Sequence, residues 1–172
     1  LWHEFLELNR MAFSDNLPRN SESRALGIAF RLIKKHAPQV KWIISFADGT
    51  QCGDGTIYRA AGFILTKING VGNTLRMLPN GEVVCRMAVT MGKTILQNNG
   101  KADWPKNSIK MKGFQLRYIY FIDPSYRARL TVPEIPFSEI EKRGAKMYKG
   151  IPGGRGETDN ALQSNDETGG AS

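Results

Sequence analysis

Residues 6–66 alternate strand-like apolar runs with helical stretches, and this alternation limits the fold more than any other feature of the chain. Phe5-Leu6-Glu7-Leu8-Asn9-Arg10-Met11-Ala12-Phe13 alternates in part and ends in polar Ser14, Asp15 and Asn16, which predicts a strand. Leu17-Pro18 opens a turn, because proline drives the residue before it away from helical backbone. Ala25, Leu26, Ala29, Leu32 and Ile33 then share one face at helical spacing, predicting a helix over residues 22–36 that closes on Lys34, Lys35 and His36. Residues 40–47 form a nearly continuous apolar run, the pattern of a buried parallel strand, with Asp48 at its carboxyl end. A short helix over residues 56–61 stops at Gly62 as its C′ residue, and a further strand starts at Phe63. The pattern is α/β. Its first two strands should be parallel neighbours joined by a right-handed crossover through the helix.

Ligands of open parallel sheets sit beyond the carboxyl ends of the strands, which places residues 19–24 and Asp48 on one rim. Arg19-Asn20-Ser21-Glu22-Ser23-Arg24 stands at the helix opening, where unpaired amides and the helix dipole favour an anion. Ser21 either caps the helix or contacts that anion, and capping alone accounts for it. Arg19 and Arg24 are not explained by capping, since cations at a helix N-terminus are unfavourable without an anion. The loop Gly49-Thr50-Gln51-Cys52-Gly53-Asp54-Gly55 is small and polar, so its backbone can approach a ligand closely.

The later chain is less regular. Leu78-Pro79-Asn80-Gly81-Glu82-Val83-Val84 gives a turn followed by a β-prone run, and residues 115–122 form the best late strand, ended by Asp123-Pro124. A short helical patch is expected near residues 138–148. Residues 1–150 read as one domain, and residues 151–172, rich in Gly, Ser, Asn and acids, as a disordered tail. Leu1 in place of Met, followed at once by apolar residues, reads as a chain whose N-terminal strands are missing.

The net charge of +8 includes an acidic tail, so the body is more basic than the total, which favours a nucleic acid or an anionic cofactor. No run approaches the length of a membrane span. Cys52 and Cys85 make neither a disulfide framework nor a metal pattern, and a reducing cytoplasm is the expected compartment. His3 and His36 show no clustered metal spacing, so a metal requirement stays open.

Asn20-Ser21-Glu22-Ser23-Arg24-Ala25 before a helix, then a buried strand, then Tyr58-Arg59-Ala60-Ala61-Gly62-Phe63, resembles the core of the GNAT acyltransferases. In that fold a phosphate-cradling loop precedes the central helix, and two splayed parallel strands admit the pantetheine arm of acetyl-CoA. Ser21 and Ser23 stand here where glycines are common. Residues 7–11, 20–25, 45–55 and 57–60, with Tyr118-Ile119-Tyr120-Phe121 and Ile135-Pro136-Phe137, are similar to the Mom family of phage DNA-modification proteins. The resemblance covers most of residues 5–148. It implies a GNAT-like mixed sheet with a central helix, acting on double-stranded DNA in the bacterial host. The implied reaction converts adenine to its N6-carbamoylmethyl form and shields phage DNA from host restriction.

On that resemblance Arg10, Arg19, Asn20, Ser21, Ser23 and Arg24 become candidates for binding acetyl-CoA or a related donor. Asp48, ahead of Asp54, becomes the candidate base for the N6 amine, whose lone pair is delocalised into the ring. Tyr58 is the candidate acid for a departing thiolate, with packing as its plainer explanation. Ser45 and Cys52 carry less weight. Lys93, Lys101, Lys106, Lys110 and Lys112, with Trp104, form a candidate DNA-facing surface, and Tyr118, Tyr120 or Phe46 a candidate receptor for a flipped base. Two competing readings remain: a GNAT N-acetyltransferase for a protein or small amine, and a non-catalytic DNA-binding module on the same fold.

Overall fold

In the computed structural model the chain is described at residues 2–9, 11–14, 16–18, 20–49, 53–70, 75–85, 97–98, 101–102, 107–148 and 151–152. In chain order its elements are β1 (Phe5–Leu8), α1 (Ser21–His36), β2 (Trp42–Asp48), α2 (Thr56–Ala60), β3 (Ile64–Gly70), β4 (Leu75–Met77), β5 (Val83–Cys85), β6 (Gln97–Asn98), β7 (Lys101–Ala102), β8 (Ile109–Lys110), β9 (Phe114–Phe121), α3 (Ser138–Lys142), β10 (Met147–Tyr148) and β11 (Ile151–Pro152). Short 3-10 helices cover Trp2–Glu4 and Pro124–Arg129.

The main sheet has four strands in the order β1-β2-β9-β3. β1 and β2 are parallel, from Phe5 opposite Trp42 to Leu8 opposite Ser45, as two strands joined through a helix should be. β9 lies antiparallel on the other side of β2, with Trp42 opposite Phe121 and Asp48 opposite Gln115. β3 completes the sheet antiparallel to β9. Between Leu65 and Lys67 the register shifts. There the Thr66 hydroxyl donates to the Arg117 carbonyl at 3.2 Å and accepts from Arg117 Nε at 3.0 Å. A separate small sheet, β5-β4-β8, contains the turn expected around Asn80-Gly81, with Gly81 at φ 82°, and the β-prone run after it pairs back on β4 as β5.

α1 packs on one face of the main sheet through Leu26 and Phe30, with Ile33 half-buried beside them. They meet Ile43 and Ala47 of β2 and Leu116 and Tyr118 of β9. Phe30 also stacks on Tyr120, ring centroids 4.1 Å apart. Leu32, expected on this face, is 53% exposed. The buried stripe runs i, i+4, i+7 through Phe30, which turns Leu32 away from the sheet.

β1 is shorter than the run that predicts it. The ladder stops at Leu8, whose carbonyl accepts a 2.8 Å hydrogen bond from the buried Ser45 hydroxyl. β2 continues alone on that side to Asp48. α2 ends as its sequence requires: Gly62 adopts φ 86°, its amide donates to the Arg59 carbonyl, and the Phe63 amide donates to the Tyr58 carbonyl.

Two glycines predict opposite outcomes. Gly55 has φ 80°, and a Cβ there would lie 2.5 Å from Tyr118 Cε2 and 3.0 Å from Ala47 Cβ. Gly55→Ala should cost about 3 kcal/mol, combining left-handed backbone strain with overpacking. Gly27 lies inside α1, and a methyl added to it would meet nothing within 4 Å, so Gly27→Ala should add about 1 kcal/mol through helix propensity. Urea unfolding of the two variants checks both signs.

Candidate active site

The N-terminus of α1 opens without a side-chain cap. Asn20 is the N-cap residue in left-handed backbone, φ 69°, a conformation asparagine tolerates better than most residues. Ser21, the cap expected from the sequence, lies inside the helix instead, and its hydroxyl donates backwards to the Pro18 carbonyl at 2.6 Å. Ser23 likewise donates to the Asn20 carbonyl at 3.1 Å. Neither hydroxyl accepts from a backbone amide among the described residues. Arg24 makes the first helical bond, to Asn20, and the amides of Glu22 and Ser23 have no partner among the described residues. The exposed Arg24 adds its charge to the positive end of the helix. Arg10 and Arg19 lie outside the described residues.

Connectivity brings this opening and Asp48 to the same rim. Because β1 and β2 are parallel and α1 links them, α1 starts beyond the carboxyl ends of both strands. Asp48 is half-buried as the last residue of β2. It is fixed by its ladder position opposite Gln115, and the turn after it is closed by two backbone bonds, Gly49 N–H to Phe114 O at 2.9 Å and Gly53 N–H to Asp48 O at 3.2 Å.

Asp54 is committed to structure. Its carboxylate accepts from the Thr56 hydroxyl at 2.9 Å and from Arg59 at 3.2 Å, and Arg59 also donates to the Thr56 hydroxyl at 2.8 Å. This closed triangle ties the loop to the first turn of α2. Tyr58 projects from α2 with its ring 5.3 Å from Phe63 and 5.4 Å from Tyr118. Packing accounts for the ring; the hydroxyl has no hydrogen-bond partner among the described residues.

Tyr118 is fully buried on the α1 side of the sheet, and its hydroxyl donates to the Asp54 carbonyl at 2.6 Å. Burial pushes its ionisation well above the ordinary phenol range. It is therefore no receptor for a flipped base, and Tyr120, stacked on Phe30, is partly committed as well. Phe46 points to the opposite face and is the most accessible of the three. That face also carries a cavity of about 330 Å³, lined by residues including Trp42, Ile44, Ile119, Tyr126 and Arg129, near the other end of β2 from Asp48. Tyr118 as a support for the loop was missed by sequence reasoning. The available signal was a phenol at an inward position of an apolar strand, which needs a polar partner when buried.

Of the lysine segment, Lys110 and Lys112 are exposed. Lys93, Trp104 and Lys106, like Cys52, lie outside the described residues, as do residues 153–172 of the expected tail. Among the described residues no group of three His, Cys, Asp or Glu side chains could hold a metal ion. No described helix is long and apolar enough to cross a membrane.

The comparison with known proteins agrees with the motif pattern. Over 60 residues the chain is 48% identical to the methylcarbamoylase Mom of Escherichia phage Mu, a stretch comprising 34% of this chain and 24% of that protein. The matched stretch thus covers about a quarter of the relative's length. The Mom protein family model matches residues 1–139, and the chain belongs to that family.

Proposed function

We propose that the chain forms the donor-binding and catalytic part of a phage DNA-modification enzyme with a GNAT-like fold. On this reading it converts the N6 amine of adenine in double-stranded DNA to the N6-carbamoylmethyl form and so protects phage DNA from restriction in the host cytoplasm. Membership of the Mom family supports a DNA-modification role, and the methylcarbamoylase name of the phage Mu relative supports the kind of adduct proposed. The observation that carries the assignment to this part of the chain is the shared rim: an uncapped, arginine-bearing helix start at the same end of the sheet as a half-buried carboxylate. The sheet order supports the GNAT-like fold, with an early parallel pair whose ladder ends at Leu8 while β2 continues.

The residues fit a phosphate-bearing donor of the acetyl-CoA kind. Acyl transfer from a thioester would leave an N6-amide, so the carbamoylmethyl product requires a donor whose CH2–CO–NH2 group bonds to N6 through its methylene carbon while the leaving group departs with the electron pair of the bond it held. The amides of Glu22 and Ser23, the helix dipole and Arg24 would hold its phosphates. Arg10, Arg19, Asn20, Ser21 and Ser23 complete the proposed donor-binding set. Asp48 would accept the N6 proton as the new bond forms, compensating for the weak nucleophilicity of a delocalised amine. Tyr58, with its hydroxyl free of described partners, would return a proton to the leaving group. Lys110 and Lys112 would contact DNA phosphates from outside.

Two measurements test this reading. Nucleosides from DNA of cells expressing the protein should contain carbamoylmethyl-deoxyadenosine by mass spectrometry; Asp48→Asn should lower its amount at least ~100-fold and Tyr58→Phe about tenfold, the range typical of lost proton transfer. Only ordinary deoxyadenosine, with folded protein present, would overturn the assignment, and acetylation of an amine with DNA untouched would favour the N-acetyltransferase reading. Arg24→Gln should weaken binding of an acyl-CoA about tenfold yet leave the free protein more stable by about 0.5 kcal/mol, because a cation leaves the positive end of the helix. Calorimetric titration and thermal unfolding read the two signs separately.

A further inference from the structure

The loop after β2 is held from below by a phenol and from above by an ion pair, and the two supports meet at one residue. The Tyr118 hydroxyl donates to the backbone carbonyl of Asp54 at 2.6 Å, while the Asp54 carboxylate is gripped by Arg59 and Thr56. The next residue, Gly55, lies against the Tyr118 ring, where no Cβ fits. Gly55 in turn caps α2, its carbonyl accepting the amides of Tyr58 at 2.9 Å and Arg59 at 3.2 Å. On the other side, Gly53 donates to the Asp48 carbonyl. Residues 53–55 therefore link the candidate base at the end of β2 to the candidate acid on α2, and Tyr118 of β9 lies beneath the link.

We propose that Tyr118 and Arg59 are positioning residues, which set the separation and orientation of Asp48 and Tyr58 without touching substrate. The inference rests on the DNA-modifying reading for its activity readout, but not for its structural one. Neither side chain lies at the open helix mouth that would hold the donor. Tyr118 has no access to solvent. Arg59 is spent on Asp54 and Thr56, with its guanidinium 5.8 Å from the Phe137 ring. Loss of either should therefore act on turnover rather than on binding of DNA. A displacement of the reacting groups by ~1 Å is enough to slow a reaction by up to about a hundredfold.

Tyr118→Phe keeps the ring that supports Gly55 and removes only the hydroxyl. In the DNA-modification assay it should lower kcat about tenfold or more with KM for DNA unchanged, the signature of an effect confined to the transition state. Arg59→Gln should act in the same direction, and Arg59→Lys, which keeps the charge opposite Asp54, should recover most of the loss. Amide hydrogen exchange supplies a second readout: the amides of Gly53, Tyr58 and Arg59 should exchange faster in Tyr118→Phe, while those of Leu26, Phe30 and Leu65 stay protected. Wild-type kcat in Tyr118→Phe, or unchanged exchange at the three loop and α2 amides, would overturn the proposal. Exchange that quickens equally throughout the core would also overturn it, because Tyr118 would then be only a packing residue. If the wild-type protein leaves adenine unmodified, the proposed function fails on its own, and the exchange pattern still decides whether the two residues hold the loop.

Discussion

The hydrogen bond from the Tyr118 hydroxyl to the Asp54 carbonyl joins the middle of the sheet to the loop that follows β2. A buried phenol without a partner costs about 1–3 kcal/mol, and so does a buried carbonyl; the 2.6 Å contact relieves both at once. Because burial keeps the phenol protonated, the donor is present at every ordinary pH. The same ring dictates the residue at position 55, since a Cβ there would stand 2.5 Å from Tyr118 Cε2 and the backbone must also turn through φ 80°. From Gly55 the start of α2 follows, then the place of Tyr58, then the Gly62 turn that sends the chain into β3.

The other side of the rim is built on bonds withheld. Ser21 and Ser23 are residues that commonly cap helices, and here both hydroxyls turn back to loop carbonyls. Leaving a helix uncapped forgoes about 1 kcal/mol. Holding Asn20 in left-handed backbone costs of order 1 kcal/mol more, and Arg24 at the positive end adds a further unfavourable term. Three small costs at one turn are hard to reconcile with selection for helix stability alone. On the proposed reading, an anion would accept from the amides of Glu22 and Ser23, which have no partner among the described residues, and pair with Arg24 in the same place.

Much of this architecture was legible because local rules and tertiary packing agree. The parallel pairing of β1 and β2 followed from a helix of connecting length, and the end of α2 from a glycine placed before an apolar strand. Sheet order was not legible. Hydrophobic periodicity marks β9 as a strand but carries no sign that it inserts between β2 and β3, which are adjacent in sequence apart from one short helix. Leu32 misled because apolar spacing alone fits several neighbouring faces, and the strip chosen by packing is the one centred on Phe30. Ser21 misled because a serine before a helix predicts a cap, whereas hydroxyl direction is decided by nearby carbonyls, here that of Pro18. At the candidate site, Asp48 and Tyr58 were proposed from position and residue type, while the burial of Tyr118 was not legible because inward and outward strand positions were not separated.

That separation also accounts for the shape of the rim. The inward-facing positions of β2 shrink toward its carboxyl end: Ile43, Ser45 and Ala47, all buried, followed by buried Gly49 at the turn. Ser45 lies opposite Tyr118, so a small side chain of one strand faces a large one of the next. Gly55 lies so close to Ala47 that even a Cβ on it would stand 3.0 Å from Ala47 Cβ, which leaves little room for a larger residue at position 47. The taper lets the loop fold back over the end of the sheet and reach the Tyr118 hydroxyl. The same serine uses its own hydroxyl to end the β1 ladder at Leu8. One strand thereby shapes both sides of the rim: β1 pairs with it only as far as Ser45, and the Asp54 loop folds back over its end, where Asp48 stands.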